Sequence, residues 1–254
     1  RRELDVTDPD ACRRLLASQA PDAVAHCAAY TDVDGAEGNP PAALEVNARG
    51  AGHVARAATE VGSLLLYPGT DYVFDGESED TYTPDDPPRP INAYGRSKLA
   101  GERAVREAGA PWLIVRTSWL YGRGGRSFVD LVRERAGRGE ELRVVDDQAG
   151  RPTWTGSLAP ALVELLERGP KGPGGELLHL ADRGTTTWYG LAREVIEREG
   201  LKGSARPVST EEWGAPAPRP RNAVLDIATG EAALGRPMPH WTDSLGRYLE
   251  RGRS

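Results

Sequence analysis

Short apolar runs alternate with helix-length segments along this chain, and that alternation restricts its fold more than any other feature. Residues 23–29 form one such run, bounded by Pro21 and Asp22. Others follow at 63–67, 112–116, 142–145 and 177–180. Runs this short and this uniformly apolar read as strands buried on both faces. The segments between them carry helix start and stop signals. Thr7 or Asp8 caps a helix over 9–20, with Pro9 at its first position. Asn39 caps a helix over 40–61 that Gly62 ends. Further helices are predicted over 94–108, 127–137, 157–168, 188–199 (capped by Thr187) and 241–251. Strands alternating with helices predict an α/β protein with a doubly wound parallel sheet. Right-handed crossovers then place the strand C-termini along one edge, where open sheets bind their ligands.

Composition narrows the partners. The 254 residues are 39% hydrophobic and 28% charged, with a net charge of -6. Acidic and basic residues are interspersed, which points away from nucleic acid. No apolar run approaches the ~20 residues that span a bilayer, so no membrane partner is expected. Cys12 and Cys27 stand apart from any metal-type pair and read as reduced and mostly buried, which suits the cytoplasm. No carboxylate cluster calls for a metal. A Pro-rich stretch around Trp213, residues 205–221, changes the texture late in the chain, and no clean linker precedes it.

Four clusters fall at the predicted strand ends: Ala28 to Val33, Gly69 to Phe74, Tyr94 with Lys98, and Arg116 to Gly122. Tyr94 and Lys98 are four apart, so a helix presents both on one face. An ammonium beside a phenol favours the phenolate, so Lys98 is expected to lower the Tyr94 pKa. With a hydride donor across the strand ends, Tyr94 would protonate a substrate alkoxide. Thr70 would hold the carbonyl, and Lys98 would also hold ribose hydroxyls.

These residues resemble the extended branch of the short-chain dehydrogenase/reductase superfamily, whose Rossmann-like sheet is the doubly wound one expected above. More narrowly, residues 69–76 and 92–102 are similar to the dTDP-4-dehydrorhamnose reductase family. So are 116–122, Asp147-Gln148-x-Gly150-x-Pro152-Thr153, 184–189 and Arg219-Pro220-x-Asn222-x-Val224-Leu225-Asp226. The likeness spans essentially the whole chain. It implies reduction at C4 of a dTDP-4-keto-6-deoxy-L-sugar by NADPH, with NADH as the alternative, in a monomer or homodimer. Thr70, Tyr94 and Lys98 would carry the chemistry. Asp5 and Val6 would lie near the adenine, and Ala28, Ala29 and Tyr30 beside the cofactor. Thr31, Val33, Tyr72 and Trp119 would meet the sugar, and Arg219 and Asn222 the nucleotide end. A cofactor-binding part over 1–124 and 158–185 would interleave with a smaller, mainly C-terminal substrate domain over 125–157 and 186–254.

Three departures accompany the likeness. No Gly-x-x-Gly-x-x-Gly or Gly-x-Gly-x-x-Gly precedes the first strand. The chain therefore reads as starting after the second strand of such a fold, roughly 35 to 40 residues in, from the size of a βαβ unit. An N-terminal truncation is favoured over a lost cofactor grip, because the catalytic set is intact. A polypeptide truly this short is expected to fold weakly and bind cofactor poorly. Gly69 and Ala223 stand where this family usually has Ser. Arg1 and Arg2 follow the expected second strand, where a 2'-phosphate would lie, which favours NADPH. The alternatives are another NDP-sugar 4-ketoreductase or epimerase of the superfamily, and a non-catalytic regulatory homologue.

Overall fold

A computed structural model describes residues 4–109, 111–125, 127–172 and 174–251. Arg1 and Arg2 lie outside the described residues. The elements run α1 (Pro9–Gln19), β1 (Ala23–Ala25), α2 (Val33–Gly38), α3 (Pro40–Leu44), a π turn (Glu45–Gly50), α4 (Ala51–Glu60) and β2 (Leu64–Thr70). A 3-10 turn (Asp71–Val73) leads towards α5 (Ala93–Glu107), β3 (Trp112–Thr117), β4 (Leu120–Tyr121) and α6 (Phe128–Gly137). Then come β5 (Glu141–Val145), β6 (Ala149–Gly150), β7 (Thr153–Trp154), α7 (Thr155–Arg168), β8 (Gly175–His179) and β9 (Thr186–Thr187). The chain closes with α8 (Trp188–Glu199), β10 (Ser204–Val208), α9 (Thr210–Trp213), α10 (Ala228–Leu234) and α11 (Trp241–Arg251).

The central sheet is parallel throughout, in the order β1-β2-β3-β8. Side chains on a strand alternate between faces, and the core follows that rule. Leu65, Tyr67 and Ile114 pack under α1, α4 and α5 with Cys12, Leu16, Val54 and Val105. Leu66, Leu113, Val115 and Leu178 face the other way, against Leu158 and Leu165 of α7 and Ala233 of α10. This is the doubly wound, Rossmann-like α/β arrangement expected from the alternation. A separate core gathers α6, α8 and α11 with Leu142 and Val144 of β5.

Helix starts obey their capping residues. Asp8 accepts from the Asp10 and Ala11 amides, with Pro9 in the first turn. Asn39, Asn92, Ser127 and Thr187 cap α3, α5, α6 and α8 in the same way. The Asn92 amide also donates to the Pro218 carbonyl at 2.9 Å, so the α5 cap holds the C-terminal segment as well.

Several boundaries differ from expectation. β1 stops at Ala25, and its ladder ends with the His26 amide on the Leu66 carbonyl. The helix expected over 40–61 widens into a π turn at 45–50. β2 runs on through Pro68 and Gly69 to Thr70, because β3 pairs with it as far as Thr117. β10, unforeseen in a Pro-rich segment, pairs in parallel with β5. Cys12 is buried, but Cys27 is exposed rather than buried, because it lies beyond the last paired residue of β1.

His26 is buried and stacks on the Tyr67 ring at 5.9 Å, with no partner for Nε2. Burial, with Lys98 adding to it, pulls its pKa down to about 4. The unfolded chain therefore binds a proton between about pH 6.5 and 4 that the folded chain refuses. Stability falls as pH drops through that window, by up to about 3 kcal/mol from this group. His26→Gln is expected to flatten this part of the Tm-versus-pH curve. Equal slopes in the two proteins would contradict the assignment.

Candidate active site

The C-terminal end of β2 and the first turns of α5 build the site. Thr70 ends β2 and is buried. Its hydroxyl donates to Asp71 Oδ1 at 3.0 Å and accepts from the Tyr72 amide at 3.2 Å. Gly95 lets α5 close on this turn, since a Cβ there would lie 2.0 Å from the Tyr72 carbonyl oxygen. That approach brings Tyr94 beside Thr70, whose hydroxyl eases ionisation of the phenol. The Tyr94 and Tyr72 rings meet edge to face at 5.9 Å.

Lys98 lies one helical turn on and is buried. Its ammonium donates to the Pro68 carbonyl at 2.7 Å and sits 4.0 Å from the Tyr67 ring centroid. Desolvation lowers its pKa to about 8, against the opposing pull of Glu102. The expected effect on Tyr94 is not what the structure shows. Burial and the nearby Asp71 push the Tyr94 phenol up to about 12, with Thr70 opposing. Lys98 is turned to the Pro68 carbonyl, so desolvation governs the phenol.

Asn47 is the residue that sequence reading missed. It is buried in the π turn. Its Oδ1 accepts from the Tyr30 amide at 2.8 Å, and its Nδ2 donates to the Tyr30 carbonyl and to Ser97 Oγ. Ser97 Oγ in turn donates to the Tyr94 carbonyl at 2.7 Å. One amide thus ties the loop after β1 to the helix of Tyr94 and Lys98. The available signal was an Asn inside a helical pattern, where Asn has no local reason to be. The widened turn that aims it is a tertiary feature often found at functional sites.

The other expected residues fall as follows. Ala28 and Thr31 are exposed, while Ala29, Tyr30 and Val33 are partly buried. Val6 packs against Gly50, and its carbonyl lies 3.2 Å from His53 Nδ1. Asp5 holds Thr7 through its backbone amide and its hydroxyl. Arg219 reaches 185 positions back to grip Asp34 with two 3.0 Å bonds and also hydrogen-bonds Tyr72. Asn222 donates to the Ser78 and Asp80 carbonyls and accepts from the Val224 amide, which pins those loops. Trp119 holds a positive φ of 47° and stacks on Trp188 at 3.7 Å. A non-glycine residue in that region is strained, and such strain concentrates at ligand sites. Beside Arg219 lies a cavity of about 170 Å³ walled by Phe128, Val144, Gln148, Trp188 and Trp213.

For a dinucleotide, the residues present fit the nicotinamide-ribose end. Ala28 and Ala29 offer little bulk at the strand end, and the buried Lys98 ammonium, with three donors, gives one to the Pro68 carbonyl. Among the described residues, no cluster of three or more His, Cys, Asp or Glu stands in a metal-holding arrangement, and no helix is long and apolar enough to cross a membrane.

A parallel Rossmann-like sheet, a buried Thr at one strand end and a Tyr-x-x-x-Lys helix closing on it define a short-chain dehydrogenase/reductase. The matching family is the one described as RmlD substrate binding domain, over residues 1–254. The chain belongs to this family, that of the dTDP-4-dehydrorhamnose reductases. The dTDP-4-dehydrorhamnose reductase of Mycobacterium tuberculosis (strain ATCC 25618 / H37Rv) is 42% identical over 251 residues, covering 96% of this chain and 81% of that one. A probable dTDP-4,6-dihydroxy-2-methyloxan-3-one 4-ketoreductase of Streptomyces antibioticus is also 42% identical, covering 95% and 82%. The crystal structure of the Bacillus anthracis dTDP-4-dehydrorhamnose reductase in complex with NADP superposes with a TM-score of 0.93. It is 36% identical, with 98% of this chain and 88% of that one covered.

Proposed function

We propose that this chain reduces the C4 ketone of a dTDP-4-keto-6-deoxy-L-sugar to dTDP-L-rhamnose with NADPH, in the cytoplasm, with Tyr94 as proton donor. The observation that carries this reading is the convergence of Thr70, Tyr94 and Lys98 at the C-terminal edge of the sheet. NADPH, when bound, supplies the hydride. A phenol held at about 12 stays protonated at neutral pH, so Tyr94 is an acid ready to give its proton. An alkoxide is a far stronger base than that phenolate, so the transfer runs downhill. The Thr70 hydroxyl stands to hold the ketone oxygen as charge develops on it, and Lys98 offers its remaining donors to ribose hydroxyls. Residues 1–124 with 158–185 hold the cofactor in this reading, and 125–157 with 186–254 hold the sugar nucleotide. The cavity beside Arg219, with its Phe128 and Trp188 walls, suits a pyrimidine ring.

NADPH oxidation with dTDP-4-keto-6-deoxy-L-mannose tests the reading, with intact mass measured on the same sample. Turnover that requires Tyr94 supports it, and a folded protein that binds NADPH without turnover refutes it. A second substrate has its own support. The Streptomyces antibioticus ketoreductase is as similar as the Mycobacterium tuberculosis reductase, and its name describes a C4 ketone on a sugar without a C2 hydroxyl, so the same assay is run with a dTDP-4-keto-6-deoxy-sugar and with its 2-deoxy counterpart. A higher kcat/KM on the latter moves the assignment to another dTDP-sugar 4-ketoreductase.

A further inference from the structure

We infer that Asp71 is a positioning residue for this reduction, one that sets which way the single proton of the Thr70 hydroxyl points. The inference rests on the reductase reading above. A hydroxyl has one proton and two lone pairs. At Thr70 one lone pair receives the Tyr72 amide, and the proton lies on Asp71 Oδ1. While that proton is held by a carboxylate, Thr70 can only accept on its remaining side and cannot donate to a ketone oxygen. A protonated Asp71 reverses the bond and donates to Thr70. The Thr70 proton is then free for the oxygen on which charge develops. Asp71 transfers no proton to product in this scheme, since Tyr94 supplies it.

The surroundings of Asp71 favour the reversed state near neutrality. The residue is 3% exposed, and its Oδ2 has no hydrogen-bond partner. A buried carboxylate with one oxygen unmatched is costly. The titratable groups facing it are Tyr72 on its own turn and Tyr94 on α5. Beyond Tyr72 stands Arg219, whose guanidinium is directed to Asp34 and Tyr72. Burial accordingly raises the Asp71 pKa to about 7, with hydrogen bonds from Thr70 and the backbone opposing.

Isotope-edited infrared titration of the aspartic carboxyl band tests this without any turnover. Asp71→Asn assigns the band, and in the wild type it should vanish with a midpoint near pH 7. Thr70→Val removes the donor to the carboxylate and should raise that midpoint by about one unit. In turnover, wild-type kcat should fall above the midpoint, approaching roughly tenfold per pH unit, while Asp71→Asn loses that dependence at similar KM. A carboxyl ionised at every pH, a midpoint unmoved in Thr70→Val, or an unchanged alkaline fall in Asp71→Asn each overturns the inference. Intact coupling between the two side chains with no turnover in the wild type overturns the reductase reading instead.

Discussion

Tyr94→Phe is expected to lower kcat by roughly a thousandfold, within the range that a positioned general acid contributes. The substitution deletes one oxygen and keeps the ring, so the edge-to-face contact with Tyr72 survives. α5 also survives, because its cap is Asn92 and its close approach depends on Gly95. Binding of NADPH should therefore change little, and the loss should lie in kcat rather than KM. Stopped-flow NADPH oxidation beside a cofactor titration separates these effects. A loss below about tenfold would remove Tyr94 from the proton-donor role.

Glu102→Gln is expected to destabilise the fold by about 3–5 kcal/mol, lowering Tm by roughly 6–20 °C. Glu102 and Arg116 form a two-bond ion pair at 3.0 and 2.8 Å, with side chains 1% and 2% exposed. The amide would leave the guanidinium charge buried without its counter-ion. Two further groups touch the guanidinium, His179 and Phe74, and neither carries a negative charge. His179 holds its Nδ1 on the Tyr82 carbonyl, so that nitrogen carries the proton and Nε2 is the bare acceptor 3.5 Å from Arg116. Burial and Arg116 keep the imidazole neutral, with a pKa of about 3. Phe74 offers only its ring face, at 5.2 Å. Glu102→Met with Arg116→Leu should recover most of the loss, because two apolar groups leave no charge stranded. A urea midpoint in Glu102→Gln within error of the wild type would refute this account. The pair also explains Gly69, where Ser was expected. A Cβ there would lie 2.7 Å from Arg116 Cγ and 2.8 Å from Glu102 Oε1.

Much of the scaffold could be read directly from residues. Asp8, Asn39 and Thr187 act on amides two or three positions away, so their capping roles are local properties. The alternation of Leu65, Leu66 and Tyr67 between two helical layers follows from strand geometry alone. Placing Tyr94 and Lys98 together needed only a helix. β10 was hidden because Ala205, Arg206 and Pro207 carry no strand pattern, and pairing with β5 makes the strand. The exposure of Cys27 was equally hidden, since burial depends on what pairs beyond Ala25.

The sequence by itself determined the alternation of strands and helices, several helix N-caps and which residue types stand at the strand edge, because each rests on periods and caps spanning four residues or fewer. Only the tertiary structure decided what those residues do electrically. It turned Lys98 to the Pro68 carbonyl, left Tyr94 governed by burial, isolated one oxygen of Asp71, and joined Arg219 to Asp34 across 185 positions. Desolvation and long-range pairing are set by neighbours in space, and the order of residues along the chain does not list those neighbours.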